Sequence, residues 1–251
     1  MHHITVPGKS MLRENFPCDL PDSARSNTSR KPDFSGQRSF REDGEVVFGS
    51  HHQGEDMFGE FSRGSQCTCM ALMMLISASE DFQFNRYFVD RVMKRGDILY
   101  TTVVIDLKTE GRFVDKLLSL DELPTSVSVD VKYQITKHVI STGFAVTEPT
   151  CTYSNSLQQA LESALELSRF VLIMVGGICS SVYKHKSNRL IFFDSHSHGL
   201  DGMSSHGGKA IMVSYESLND LVIYLYAFYS SKDMKLTSQF EALPISIKAI
   251  D

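Results

Sequence analysis

The sequence predicts an α+β fold, a helical half with one central helix packed on an antiparallel meander sheet. Three observations carry that expectation. The run CTCMALMMLIS at 67–77 holds no charge, and its residues Met70 to Ile76 are apolar on every helical face, as a helix covered on all sides requires. Helical patterns dominate before residue 170, and β-rich stretches with short polar or glycine connections follow it. Helices followed by consecutive strands are the α+β order, unlike the regular strand–helix alternation of a parallel sheet.

Composition bounds the rest. The 251 residues are 42% hydrophobic and 22% charged, an ordinary globular balance. The net charge of -5 argues against a nucleic-acid partner, which needs a basic field. Five cysteines (Cys18, Cys67, Cys69, Cys151, Cys179) are odd in number and irregularly spaced, so free thiols in a reducing compartment are expected. MHHITVPGKS lacks the apolar core of a secretory leader, and FVLIMVGGIC at 170–179 is too short to span a bilayer. The expectation is an intracellular protein that works without a membrane, as a monomer.

Residues 1–45 read as a disordered tail, because PDSARSNTSRKPDFSGQRSFREDGE has few aliphatics and neither period. Residues 46–251 read as a single domain. It opens with EVVFGS and a loop rich in Gly, His and acid from Ser50 to Ser65. The central helix starts at Gln66 or Cys67 and runs to about Ser79. A second helix over 81–97 presents Phe84, Tyr87, Phe88, Arg91 and Val92, with Gly96 as its stop. LYTTVVIDL reads as a strand or a helix end. GRFVDKLLSLDELP reads as a short helix closed by Pro124, and SVSVDVKYQI at 126–135 as one half-exposed strand. SNSLQQALESALELS is a helix capped by Ser154 or Asn155, with a stripe of Leu157, Ala160, Leu161, Ala164, Leu165 and Leu167. FVLIMVGG and ICSSVYKH pair across Gly176-Gly177, RLIFFDSH and AIMVSY are further strands, and LNDLVIYLYAFY is a helix capped by Ser217 or Asn219.

Two places carry candidate chemistry. Cys67 and Cys69 stand at the start of the apolar helix. Buried packing is the usual fate of a cysteine. Structural zinc needs a second close pair of ligands, which the isolated Cys18, Cys151 and Cys179 do not form. A helix N-terminus favours a thiolate, and Cys67 is nearer to it than Cys69. Residues i and i+2 point to different sides of a helix, so one thiol faces a cleft and the other packs inside. The second place is FFDSHSHG at 192–199. Residues i and i+2 share a face of a strand, so Asp194 can hold the His196 imidazole as orienter and base of a cysteine triad. The same spacing also reads as a metal site of Asp194, His196, His198 and His206, or as a solvated strand end. Gln53, in the loop before the helix, and Gln66 are candidate side-chain donors to an oxyanion, Gln66 alternatively capping the helix.

Taken in order, a Gln in a His/Gly loop, F-G-x-F, G-x-Q-C opening an apolar helix, and a distant strand ending F-D-x-H resemble the deubiquitinase domain of herpesvirus large tegument proteins and its non-viral relatives. The resemblance covers residues 46–230. It implies a papain-like cysteine protease that cleaves after the C-terminal Gly-Gly of ubiquitin, and often of Nedd8. Cys67 then matches the nucleophile, His196 the general base, Asp194 the orienting acid and Gln53 the oxyanion-hole residue. Ubiquitin and polyubiquitin chains become the expected partners, Nedd8 a further one, and no cofactor or metal is called for. Ubiquitin's tail carries arginines, for which Glu55, Asp56 and Glu60 are the nearby acids. The expected location is cytoplasm or nucleus, and the virion tegument if the source is viral. Two other readings stand beside this one: an inactive ubiquitin-binding module of the same fold, and a metal-dependent hydrolase built on the His cluster.

Overall fold

Period-two alternation sends each strand's side chains to two faces of one sheet, and helices cover both. The computed structural model describes residues 44–144, 155–234 and 238–250. The tail expected over 1–45 lies outside the described residues except for Gly44 and Glu45, which open the first strand. In chain order the elements are β1 (Gly44–Phe48), α1 (Cys67–Asp81), α2 (Arg86–Thr109), β2 (Ser126–Ser128), β3 (Lys132–Lys137), β4 (Ser141–Phe144), α3 (Leu157–Leu167), β5 (Phe170–Val175), β6 (Ile178–Lys184), β7 (Leu190–His198), β8 (Lys209–Tyr215), α4 (Leu218–Ser231) and β9 (Gln239–Ile250). The sheet order is β1-β8-β7-β6-β5-β9-β3-β2, with β4 also on β9, and every pairing is antiparallel.

One face of the sheet, including Leu172, Cys179, Phe193 and Met212, packs under α1 and α2. The other, including Val171, Ile173, Phe192 and Val213, packs under α3 and α4. The expected helical half is therefore two helical layers, one on each face. α1 lies between α2 and strands β6 and β7. That is why its residues from Cys67 to Ala78 are all buried, as its unbroken apolar run requires.

Several expected elements differ. Gly96 does not end a helix: α2 continues through it to Thr109 and takes in LYTTVVIDL. A Cβ at Gly96 would stand 2.6 Å from Met70 Cγ and 2.7 Å from Met70 Cα, so this glycine is where α1 and α2 touch. The start is also later than expected. Asn85 caps α2 by accepting from the Phe88 N–H, so Phe84 precedes the helix and Tyr87 is 84% exposed, while Phe88, Val89 and Val92 are buried. Residues 111–124 form turns instead of a helix. Asp115 accepts from Leu117 N–H and Glu122 from Ser119 N–H, local bonds that compete with a helical ladder, while Leu118, Leu120 and Leu123 are still buried.

The single strand expected over 126–135 is a hairpin, β2 and β3. The cap of α3 is Ser156, which forms a capping box with Gln159, and Leu167 is 61% exposed outside the apolar stripe. Ser217 caps α4 as expected. β5 and β6 turn at Gly176 and Gly177, both with positive φ, a conformation that costs glycine little.

Strands β4 and β9 had no counterpart in the sequence reading. β9 is central, between β5 and β3, although Pro244 sits inside it. Pro244 faces β5 at Val171. On its other side β4 hands over to β3 between Ala242 and Ile245, and its carbonyl accepts from His138 N–H. The N–H that proline lacks therefore points to the His138 side, at the handover, where the pairing changes from β4 to β3.

Candidate active site

The thiol comes from a helix start. Cys67 is the first residue of α1, and the preceding Gln66 gives that helix no side-chain cap. The first-turn N–H groups and the positive end of the helix dipole therefore act on the thiol itself. Gln66 is fully buried. Its amide donates to Asp97 Oδ1 at 3.1 Å and its oxygen accepts from Ser65 N–H at 3.2 Å. It thus ties the helix start to α2 and does not cap it.

The base comes from the end of β7, next to the strand that carries the β5–β6 turn. His196 Nδ1 lies 2.9 Å from Asp194 Oδ1, so Nε2 is the nitrogen left for the thiol, whose ionisation the His196 side chain favours. Cys67 Sγ also lies 3.9 Å from the Gly177 carbonyl, and the Cys179 backbone N–H favours its ionised form. The strand register shifts between Asp194 and His198, a bulge that re-aims the side chains at the strand end. His196 is 17% exposed, whereas Asp194 is completely buried.

The electrostatics follow from this packing. Burial pushes the Cys67 thiol up, but the hydrogen bond and the charge of His196, with the Cys179 N–H, outweigh it and hold the thiol below its usual range. Burial pulls His196 down, yet the Asp194 carboxylate and the thiol raise it to about 10. Burial alone would raise Asp194, but His196 and His198 hold it well below the ordinary carboxylate range. A lowered thiol beside a raised imidazole favours the thiolate–imidazolium pair over two neutral groups. Cys69, also fully buried, is shifted the other way by desolvation and by Cys67.

Gln53 bridges the two halves of the site. Its backbone N–H donates to the Ser195 carbonyl at 2.9 Å and its own carbonyl accepts from Gly64 N–H at 3.1 Å. Its Oε1 accepts from Ser195 Oγ at 2.9 Å, and its Nε2 reaches the Gly64 carbonyl at 3.4 Å. The Gly64 carbonyl, which can only accept, therefore sets which end of the amide carries the donors.

The acids expected to meet a basic tail are placed differently from one another. Glu55 accepts from Lys209 Nζ at 2.7 Å and lies 2.6 Å from His51 Nδ1, and these partners outweigh burial and lower its carboxyl to about 2. Asp56 pairs with Arg63 at the surface, and Glu60 is exposed.

Of the His cluster, His198 spends one ring nitrogen on Asp194 Oδ1 and the other on the Gly202 carbonyl. His206 is exposed. Among the described residues no three His, Cys, Asp or Glu side chains are grouped so as to hold a metal ion. Nor is any described helix long and apolar enough to cross a membrane.

Sequence reasoning named Cys67, Asp194, His196 and Gln53; the structure sets His196 between Cys67 and Asp194 and holds Gln53 on Ser195. It did not find the roles of Ser195, Gly177 or the Cys179 N–H. Ser195 had a signal, since its position between Asp194 and His196 puts it on the opposite strand face, whereas backbone contacts leave none.

Comparison with known proteins adds the following. Residues 48–249 match the family model described as "Herpesvirus tegument protein, N-terminal conserved region". No curated protein matches the chain. Among solved structures, the fold is similar to that of the ubiquitin-specific protease encoded by murine cytomegalovirus tegument protein M48, solved with a ubiquitin-based suicide substrate. The TM-score is 0.68 at 17% identity, over 82% of this chain and 87% of the other. The α+β architecture is thus that of the M48 protease, a papain-like fold.

Proposed function

From the premise that this chain belongs to the herpesvirus tegument protein N-terminal family, we propose that it is a cysteine-type deubiquitinase. The observation that carries this reading is the buried chain Cys67–His196–Asp194, with the thiol lowered and the imidazole raised. That polarity suits a nucleophile with its acid and base, and neither group would need it for packing. An inactive binding module would have no use for it.

The Cys67 thiolate attacks the carbonyl carbon of ubiquitin's terminal glycine. The Gln53 amide and the N–H groups at the start of α1 are the donors assigned to the oxyanion. As the tetrahedral adduct collapses, the His196 imidazolium gives its proton to the departing lysine amine, leaving a thioester on Cys67. Neutral His196 then takes a proton from water, the hydroxide displaces the thiolate, and the carboxylate product leaves. Ubiquitin and polyubiquitin chains are the proposed substrates, with Nedd8 as a second modifier and the protein acting as a monomer. Asp56 and Glu60 are the acids most open to the arginines of ubiquitin's tail, since Glu55 is already occupied by Lys209. The proposed setting is the cytoplasm or nucleus and the tegument.

A ubiquitin carrying a C-terminal thiol-reactive warhead tests this. The wild type and Cys69→Ala should form a covalent adduct at similar rates, and Cys67→Ala should form none. Loss of cavity-lining atoms in Cys69→Ala should cost about 1–2 kcal/mol of stability in urea unfolding. An adduct that survives Cys67→Ala, or a wild type that forms none, overturns the proposal.

A further inference from the structure

The Asp194 carboxylate is held unevenly. Its Oδ1 accepts from the His196 backbone N–H at 2.7 Å, from His196 Nδ1 at 2.9 Å and from His198 Nε2 at 3.0 Å. Its Oδ2 is buried with no hydrogen-bond partner among the described residues. Two of the three donors thus belong to the very residue that Asp194 must orient. Among the described residues, the one anchor independent of His196 is His198.

His198 is itself fixed. It is fully buried, its Nδ1 lies 2.8 Å from the Gly202 carbonyl, and its ring stacks on Phe228 at 4.6 Å between centroids. The Gly202 carbonyl also accepts from the Tyr224 hydroxyl at 3.0 Å. Both partners of the ring are acceptors, and the bond to the carboxylate, made when Nε2 carries a proton, is the charge-assisted one. A histidine kept only to fill the core would need one such bond and would not have to aim the other at a carboxylate.

We propose that His198 is a positioning residue: its Nε2–H pins Asp194 Oδ1 and so fixes the carboxylate that orients His196. The inference rests on the deubiquitinase reading for the reaction it serves, but not for the contact itself. The titratable groups facing this network are His196 on β7, Tyr224 and Tyr229 on α4, which act on Asp194, Asp201 in the turn after β7, which acts on Tyr224, and Lys209, which pairs with His198 across β7 and β8. Lys232 Nζ lies 5.9 Å from the centroid of the Phe228 ring on which His198 stacks.

His198→Phe keeps the ring stacked on Phe228 and removes both nitrogens, while His198→Gln restores an N–H donor. With a fluorogenic ubiquitin substrate, His198→Phe should lose about ten-fold or more in kcat with KM unchanged, and His198→Gln should recover part of the loss. Alkylation of Cys67 by iodoacetamide, followed by peptide mass, should shift its pH profile upward by about half a unit or more in His198→Phe, because a loosened Asp194 holds the imidazolium less well. A folded His198→Phe with wild-type kcat and profile, or a downward shift, overturns the proposal. If that variant does not fold, imidazole nitrogen NMR of the wild type decides, since an Nε2 without its proton at neutral pH overturns it equally. Should the wild type be inactive on ubiquitin while the alkylation profile still shifts, the deubiquitinase reading fails and the role of His198 stands.

Discussion

Cys67 and Cys69 bear the same thiol two residues apart, yet their surroundings push them in opposite directions. Cys67 faces an imidazole that overcomes burial; burial and the charge of Cys67 both push Cys69 up. The pH dependence of catalysis follows. The thiolate–imidazolium pair exists between the lowered Cys67 value and the raised His196 value of about 10. On acidification Cys67 takes up a proton and kcat/KM should fall; on the alkaline side His196 loses its proton near pH 10 and the rate should fall again. A profile of kcat/KM on a ubiquitin substrate checks both limbs, and a maximum confined to acidic pH would contradict the pair. At this scale much was legible in advance. Helix and strand geometry separated Cys67 from Cys69 and joined Asp194 to His196. The H-x-H spacing of His196 and His198 was also visible, but as a pair of metal ligands. Spacing shows which side chains share a face, not that an aspartate stands between them.

Gly96 shows how an element can be misread. Near the end of a charged helical stretch a glycine is a natural stop signal, and α2 runs straight through it because Met70 of α1 occupies the space its side chain would take. Replacing it with alanine should gain about 1 kcal/mol in helix propensity, but the buried clash involves the Met70 backbone and should cost about 1–3 kcal/mol. Gly96→Ala is therefore expected to lower the thermal midpoint, measurable by circular dichroism; a rise would mean that α1 and α2 part without penalty. The short helix expected over 111–124 fails for a related reason. Its leucines are buried, but its backbone is used elsewhere: the Leu118 carbonyl accepts from Thr68 and the Lys116 carbonyl from Tyr100. Apolar spacing reports burial, and only the neighbours decide whether the backbone stays free for a helix.

For the whole molecule, β9 links two groups of strands. It pairs with β5 on one side and with β3 and β4 on the other, and contributes Leu243 and Ile245 to one core, Phe240 and Ala242 to the other. A chain ending after Ser231 should lack a cooperative unfolding transition and near-ultraviolet dichroism, even though every catalytic candidate precedes the cut. Retention of a sharp thermal transition would show that β5–β8 and the helices suffice. The sequence alone determined the α+β class, the buried central helix and the strand meander from Phe170 to Tyr215, and it named the four residues of the candidate site. These depend on local period, on helix-end electrostatics and on motif order along the chain. Tertiary structure alone decided the second helical layer, the central place of a proline-bearing strand, the passage of α2 through Gly96 and the attachment of His198 to Asp194. Each of these depends on which distant segment lies opposite, and periodicity carries no record of that.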